Sequence, residues 1–284
     1  NNMEKIRAIN VSYKIIRAND IHRTVYPYLR DSEGNKIMYS LSPNHGRSFL
    51  IGRNNDGKFI ISKGNGLSYT QYKMLNTGEF GNDTWGLLLR NDAIRDFTLG
   101  MEINSLGIKT NQMEYVLELE KDIVLTNGNI IKPILLQYNV ECPYRISDAA
   151  FMSQKQIKEE IEKWKYINDK NFTDYYLIAA DILIRNLRIL HDNKILHNAI
   201  HEQNYTWALE LLDFELACSP QNPYTSEEYR RHVKSLFPRE IIQTYIIINY
   251  IANVLNESIN HNSVDELFKE YGFNLNNYNC KNKN

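Results

Sequence analysis

A chain of 284 residues can bury a substantial apolar core without disulfides or structural metals. Its 33 basic and 34 acidic residues give a net charge of −1, which argues against a dedicated surface for nucleic acids or anionic membranes. No apolar run is long enough to cross a membrane, and the first residues contain no apolar segment typical of a secretory signal. We therefore expect a cytoplasmic, monomeric protein that binds neither nucleic acids nor membranes.

The first half of the chain predicts a β-rich lobe, because short β-like runs alternate with turn signals. The sequence Asn-Asn-Asp-Gly at residues 54–57 is a strong hairpin signal. The predicted strands cover residues 36–41, 48–52, 58–62, 115–119 and 130–138. One helix is predicted over residues 92–106, where apolar residues recur at helical spacing and Gly107 follows as a C-cap.

The second half predicts a helical lobe. Apolar residues at helical spacing indicate helices over residues 153–167, 174–191, 237–255 and 264–271. The change from β-like to helical patterns falls at a connector near residues 139–147. A β-rich half followed by a helical half is typical of an α+β fold, and we place the two lobes at residues 1–142 and 143–284.

The most informative segment is 197–217, which reads HNAIHEQNYTWALELLDFELA. It resembles a protein-kinase catalytic loop followed by the metal-binding Asp-Phe-Gly motif. His197 and Asn204 take the His and Asn places of the loop at 197–204, and residues 213–215 (Asp-Phe-Glu) take the place of the metal motif. The catalytic Asp is replaced by Ala199, which cannot accept a proton from a substrate hydroxyl. With the element order, this segment predicts a protein-kinase-like bilobal fold with a β-rich N-lobe and a helical C-lobe.

Two side chains of this segment are the candidate metal ligands. Asn204 and Asp213 offer an amide oxygen and a carboxylate, and such oxygen ligands suit Mg²⁺ (or Mn²⁺) shared with ATP phosphates. His197 is expected to orient the loop. His201 and Glu202 lie inside the loop, and either one is a candidate replacement for the missing base.

The candidate nucleotide-binding residues lie in the β-rich half. Lys63 closes a predicted strand, where kinases place the lysine that grips ATP phosphates and is held by an acid on the next helix. Asp96 and Glu102 are the candidate acids, and they lie about 240° apart around a helix, so only one can face Lys63. Gly46 and Arg47 lie between strands where a phosphate-binding loop belongs, although an ordinary turn is the alternative.

Several segments resemble motifs of the selenoprotein O family. The matching segments are KGNG at 63–66 with Tyr69, LR at 89–90, IRDF at 94–97, EINSLGIKT at 102–110 and HNAIHEQN at 197–204. As in that family, an aliphatic residue replaces the catalytic Asp, and Asp213 lies nine positions after Asn204. The resemblance covers residues 46–218.

The resemblance implies a fold and an activity. Members of the family have a kinase-like fold, bind ATP in a flipped orientation and transfer AMP to protein hydroxyls. By this resemblance Lys63 and Asp96 grip the triphosphate, Arg145 contacts the nucleotide, and Asn204 and Asp213 hold the metal. Asp213 is then also the catalytic residue that activates the acceptor, which is a protein or peptide. A phosphotransferase with a replaced base and an inert pseudokinase scaffold remain the alternatives.

The chain also departs from the family pattern. Asp96 stands where the family has Glu, and the first of two nucleotide-binding arginines falls on Tyr138. Residues 74–85 form an insertion, and the chain is shorter than typical members. The family resemblance further implies a redox-sensitive disulfide between Cys218 and Cys280, with two free thiols as the alternative.

Overall fold

The computed structural model describes residues 3–19, 22–41, 47–66, 86–124, 128–224 and 227–277. The fold is α+β, with a large antiparallel sheet and helices, as the sequence predicted. Four features discussed above lie outside the described residues: Gly46, Tyr69, Cys280 and the insertion at 74–85.

Eight strands form one antiparallel sheet. The strands within the described ranges are β1 (Met3–Asn10), β2 (Tyr13–Ala18), β3 (Tyr28–Arg30), β4 (Lys36–Leu41), β5 (Ser48–Arg53), β6 (Phe59–Lys63), β7 (Gln112–Leu119), β8 (Ile123–Val124), β9 (Ile130–Ile131) and β10 (Ile134–Val140). The sheet order is β2-β7-β10-β6-β5-β4-β1-β3, and β8 pairs with β9 separately. Lys63 at the end of β6 lies opposite Leu136 of β10 and Ser48 of β5.

The hairpin at residues 54–57 is confirmed. The Asn54 side chain accepts hydrogen bonds from the backbone N–H groups of Asp56 and Lys58, and Gly57 adopts a φ of 77°. This Asx-type turn joins β5 to β6. The prediction of one strand over 130–138 was wrong in detail, because the chain breaks between β9 and β10 at Pro133, which has no N–H to donate. Strands β1, β2 and β3 were not predicted.

Five helices lie in the described ranges: α1 (Arg90–Ser105), α2 (Gln154–Glu162), α3 (Tyr175–Asp192), α4 (Glu227–Val254) and α5 (His261–Glu270). The predicted helix at 153–167 is too long. Helix α2 ends at Glu162, where the N–H groups of Lys163 and Trp164 bond carbonyls three residues back, in a 3-10 pattern that closes the helix. Helix α4 begins ten residues before the prediction and continues through Pro238. No helix in the described part of the chain is long and apolar enough to span a membrane.

The chain divides into two compact units. The first comprises Asn1–Met101 and Asn111–Pro143, and the second comprises Glu102–Thr110 and Tyr144–Asn284. The main division therefore falls at residues 143–144, next to the boundary predicted at 142–143. The segment 102–110 differs from the prediction, because it belongs to the second unit although it lies within the first half of the chain.

Each unit has its own apolar core. In the first unit, one cluster of buried residues comprises Val11, Leu29, Leu87, Tyr115, Leu117, Leu119 and Leu135. In the second unit, α3 packs against α4 and α5. Its largest fully buried side chains include Trp207, Tyr176, Tyr205, Tyr245 and Phe268.

Candidate functional site

A buried ion pair lies in the first unit. Lys63 Nζ is 3.5 Å from Asp96 Oδ2, and the two side chains are 8% and 4% exposed. Lys63 is the last residue of β6, and Asp96 lies on α1. Such a pair contributes little net stability, because removing both charges from water offsets most of their attraction.

Glu102, the other candidate acid on α1, has a different role. Its Oε2 accepts hydrogen bonds from Ser219 Oγ and Asn222 Nδ2, both at 2.9 Å, within the second unit. The two acids therefore have different partners, as their angular separation around the helix required. Asp96 pairs with Lys63, whereas Glu102 holds the chain that follows Cys218.

The chain next to Lys63 is shaped by Gly64, whose φ is 101°. The Gly64 N–H donates to the backbone carbonyl of Arg47 at 2.8 Å. The Arg47 side chain is exposed, and Gly46 lies outside the described residues. The backbone before β5 is thus tied to the residue that follows Lys63.

In the second unit, His197 is the structural centre of the loop at 197–204. It is fully buried; its Nδ1 accepts from the Ala199 N–H at 3.2 Å, and Nε2 therefore donates to the Leu212 carbonyl at 2.8 Å. The ring also contacts Phe214 edge to face, with centroids 5.5 Å apart. His197 therefore orients the loop, as predicted, and joins it to the segment that carries Asp213.

Asn204 is fixed by the same loop. Its Nδ2 donates to the Ala199 carbonyl at 2.8 Å, and its backbone carbonyl accepts from the Leu212 N–H at 2.8 Å. Because the amide nitrogen is bound to that carbonyl, the amide oxygen is directed away from it. The oxygen is the atom that can bind a cation.

Asp213 follows Leu212 directly and adopts a left-handed backbone conformation, with a φ of 65°. Non-glycine residues seldom take this conformation, and Asp and Asn tolerate it best. Its carboxylate acts electrostatically on His201, whose imidazole lies 3.4 Å from Asn204 Nδ2. Burial lowers the pKa of His201 below its ordinary value, whereas the Glu202 and Asp213 carboxylates act to raise it.

The donor set fits a hard cation that shares its coordination with a ligand. Asn204 and Asp213 supply oxygen atoms, which Mg²⁺ and Mn²⁺ prefer. Within the described ranges, no group of three or more His, Cys, Asp or Glu residues could enclose a metal by itself. Mg²⁺ commonly binds through one or two protein side chains, with water and phosphates completing its shell, so the two residues suit this role.

Arg145 lies beside the loop in the second unit. Its Nη1 donates to the Gln203 carbonyl at 3.1 Å, and its backbone N–H donates to Asp148 Oδ2 at 2.7 Å. Tyr138, on which the resemblance places the first of the two family arginines, is a buried residue of β10 in the first unit. Cys218 is buried, and Cys280 lies outside the described residues, so the disulfide stays a prediction.

The sequence did not reveal one residue that positions the loop at 197–204. Glu240 on α4 is 1% exposed, accepts a hydrogen bond from the Asn198 N–H at 2.8 Å and contacts His191 Nε2 at 3.0 Å. It therefore fixes the backbone of the loop from a helix far along the chain. The only signal was a carboxylate at the start of a strongly apolar segment.

A scan against protein-family models found no match for the chain, and a search of curated proteins found none either.

Proposed function

We propose that the protein is an adenylyltransferase with a kinase-like bilobal fold. It transfers AMP from ATP to a hydroxyl group of a protein or peptide and releases pyrophosphate. The observation that carries the proposal is the arrangement around Ala199. The loop keeps the histidine and asparagine of a kinase loop in ordered, hydrogen-bonded positions, but Ala199 provides no base. An ordered loop without that base favours a different transfer from ATP over ordinary phosphorylation.

Two groups of residues supply the proposed interactions with the nucleotide. In the first unit, the Lys63 ammonium neutralises phosphate oxygens, and Asp96 holds it in position. In the second unit, Asn204 and Asp213 hold the cation, and Arg145 adds positive charge beside the loop. A bound Mg²⁺ or Mn²⁺ ion supplies charge neutralisation at the phosphates.

The transfer itself exchanges one bond for another. The acceptor oxygen bonds to the α-phosphorus, and the bond from that phosphorus to the α–β bridging oxygen breaks. Pyrophosphate leaves with the electron pair of that bond. The Asp213 carboxylate takes the hydroxyl proton, a role that typically contributes about 10²–10⁴-fold to the rate.

The test uses ATP labelled at the α- or the γ-phosphate, with Mg²⁺ or Mn²⁺ and the full chain as its own acceptor. We expect the protein to retain the α-label alone, together with release of pyrophosphate. Asp213→Asn should reduce incorporation by about 100-fold or more, since it removes the charge that binds the cation and accepts the proton. Asparagine tolerates the left-handed conformation at this position, so the variant should fold.

Asp192→Asn is the matched control, because Asp192 is an exposed residue at the end of α3 paired with Arg188. It should leave incorporation unchanged. Retention of the γ-label alone would identify a phosphotransferase, for which Glu202 is the candidate base. A folded protein that incorporates neither label and releases no pyrophosphate would indicate an inert scaffold and contradict the proposal.

A further inference from the structure

A cavity of about 510 Å³ lies within the second unit, next to the loop at 197–204. Glu202 lines it and begins the 3-10 helix Glu202–Asn204, which ends at the candidate metal ligand. Helix α4 and the chain after it supply most of the remaining lining. The volume lies within the range of about 300–1,000 Å³ that is typical of ligand sites. The cavity is therefore large enough to hold an extended side chain and its neighbours.

The charged lining of this cavity is predominantly acidic. Glu202 and Glu257 both line it, and its lining in the described part of the chain contains no lysine or arginine. Lys158 on α2 acts electrostatically on Glu257 but does not line the cavity. His261 also lines the cavity, and its Nδ1 is 2.9 Å from the Tyr245 hydroxyl. The cavity therefore favours a cationic ligand.

Tyr250 adds a second feature that suits a cation. Its ring lines the same cavity, and an aromatic face attracts ammonium and guanidinium groups. Burial raises the pKa of the Tyr250 phenol, and the carboxylates of Glu202 and Asp148 raise it further. The phenol therefore lies in the negative field of two acids.

We propose that this cavity receives the acceptor, and that the acceptor is a basic peptide segment with a lysine or arginine beside its hydroxyl residue. The proposal rests on the proposed adenylyl transfer. A bound basic side chain places the neighbouring hydroxyl at the loop that contains Asn204. The pairing of this basic side chain with the acidic residues of the cavity then determines which hydroxyl groups are modified.

The experiment measures binding without nucleotide and transfer with it. Two fluorescent peptides are compared, each with one central serine, flanked by lysines in one and by glutamates in the other. Fluorescence anisotropy with the full chain should give a dissociation constant about tenfold or more lower for the lysine peptide. With α-labelled ATP, the lysine peptide should also be the better acceptor, with the difference mainly in KM.

Asn253→Lys places a cation at the edge of the cavity, on an exposed position of α4. We expect it to weaken binding of the lysine peptide about tenfold. Asn35→Lys, at an exposed position in the first unit, is the matched control and should have no effect. Glu202→Gln removes one acid and should also weaken binding, with thermal unfolding as the check on folding.

The outcomes separate the two proposals. Equal affinity for both peptides, or no effect of Asn253→Lys, would overturn the acceptor assignment while leaving any α-label transfer intact. Charge-dependent binding without α-label transfer would instead reject the adenylyl transfer and leave a pocket for cationic ligands.

Discussion

Gly64 allows the chain to turn immediately after Lys63. Its φ of 101° lies in the left-handed region, and an added Cβ would fall well inside van der Waals contact with the Ile134 carbonyl oxygen and beside Leu88. Only glycine fits both the conformation and the space. The position of the Lys63 ammonium therefore depends on a residue that carries no side chain.

Gly64→Ala should lower the free energy of unfolding by about 2–3 kcal/mol, because backbone strain and overpacking both act on the folded state. Urea unfolding followed by circular dichroism measures the change. Gly57→Ala is the control, since Gly57 has a φ of 77° but an added Cβ would meet nothing within 4 Å. It should cost only about 1 kcal/mol. Equal costs for the two variants would show that the close approach to Ile134 does not matter.

Some residues of the candidate site could be predicted from the sequence. Lys63 and Asp96 were both named, and helical geometry required that only one of Asp96 and Glu102 face the lysine. The choice between the two needed the structure, because it depends on which side of α1 meets β6. Glu240 could not be found, because its partners Asn198 and His191 lie more than 40 residues away.

At the scale of elements, the N-terminus of α3 is capped from a distance. Asp174 occupies the N-cap position, but its side chain makes no capping bond. The two carboxylate oxygens of Glu257 instead accept from the N–H groups of Tyr175 at 2.8 Å and Tyr176 at 3.0 Å. A residue located after α4 therefore satisfies the free donors that begin α3.

Glu257→Ala should destabilise the protein by about 1–2 kcal/mol, because two helix donors lose their acceptor. Asp174→Ala is the matched control, and its effect on the free energy of unfolding should be within about 0.5 kcal/mol. Urea unfolding at pH 7 compares both with the wild type. A larger loss for Asp174→Ala would mean that local capping dominates after all.

The capping residue also gives the stability a pH dependence. Burial raises the pKa of Glu257 above its ordinary value of 4.5, against the opposing effect of the two backbone hydrogen bonds. The folded state therefore binds the proton more tightly than the unfolded state. The stabilisation from this proton is fully present below pH 4.5 and is lost as the pH rises through the raised pKa.

Compared with Glu257→Gln, which cannot titrate, the wild type should gain free energy of unfolding as the pH falls from 7 toward 4.5. Urea unfolding of both proteins at matched pH values measures the difference. A difference that stays constant over this interval, or changes in the opposite direction, would contradict the raised pKa.

Element prediction was most accurate where local signals are strong. Helices α1 and α3 were located to within two residues, and the hairpin at 54–57 was recognised from its turn residues. The early end of α2 was missed, because the change to 3-10 hydrogen bonding at Lys163 and Trp164 leaves no mark on the apolar periodicity. Strand β3 has only three residues and pairs with β1, so no local sequence pattern predicts it.

At the scale of the whole molecule, the two compact units carry different parts of the proposed chemistry. Lys63 and Asp96 belong to the first unit, and Asn204 and Asp213 belong to the second. If all four act on one ATP molecule, their contributions must be coupled, since groups that serve one reaction step are not additive.

We expect Lys63→Met to lower α-label incorporation by about 100-fold or more, because the phosphates lose their fixed cation. The double variant Lys63→Met/Asp213→Asn should be little worse than Asp213→Asn alone. Incorporation under single-turnover conditions measures the four combinations. Fully multiplicative losses would indicate that the two residues act independently and would contradict a shared nucleotide.

The control for Lys63→Met replaces another lysine by methionine. Lys170 is unsuitable for this purpose, because Lys170→Met would break a separate ion-pair network. Lys170 contacts Asp181 of α3 at 2.8 Å and Glu270 of α5 at 3.4 Å. Lys5→Met is preferable, since Lys5 is an exposed residue of β1 in the first unit. It should leave incorporation unchanged.

The sequence by itself determined the α+β class, the approximate position of the main division and the order of the loop residues from His197 to Asp213. These properties follow from local periodicity, turn chemistry and spacing along the chain. The tertiary structure decided that Asp96 pairs with Lys63, that Glu240 holds the loop, that Glu257 caps α3 and that segment 102–110 joins the second unit. Each of these depends on contacts between residues distant in the chain, which form only when whole elements pack against one another.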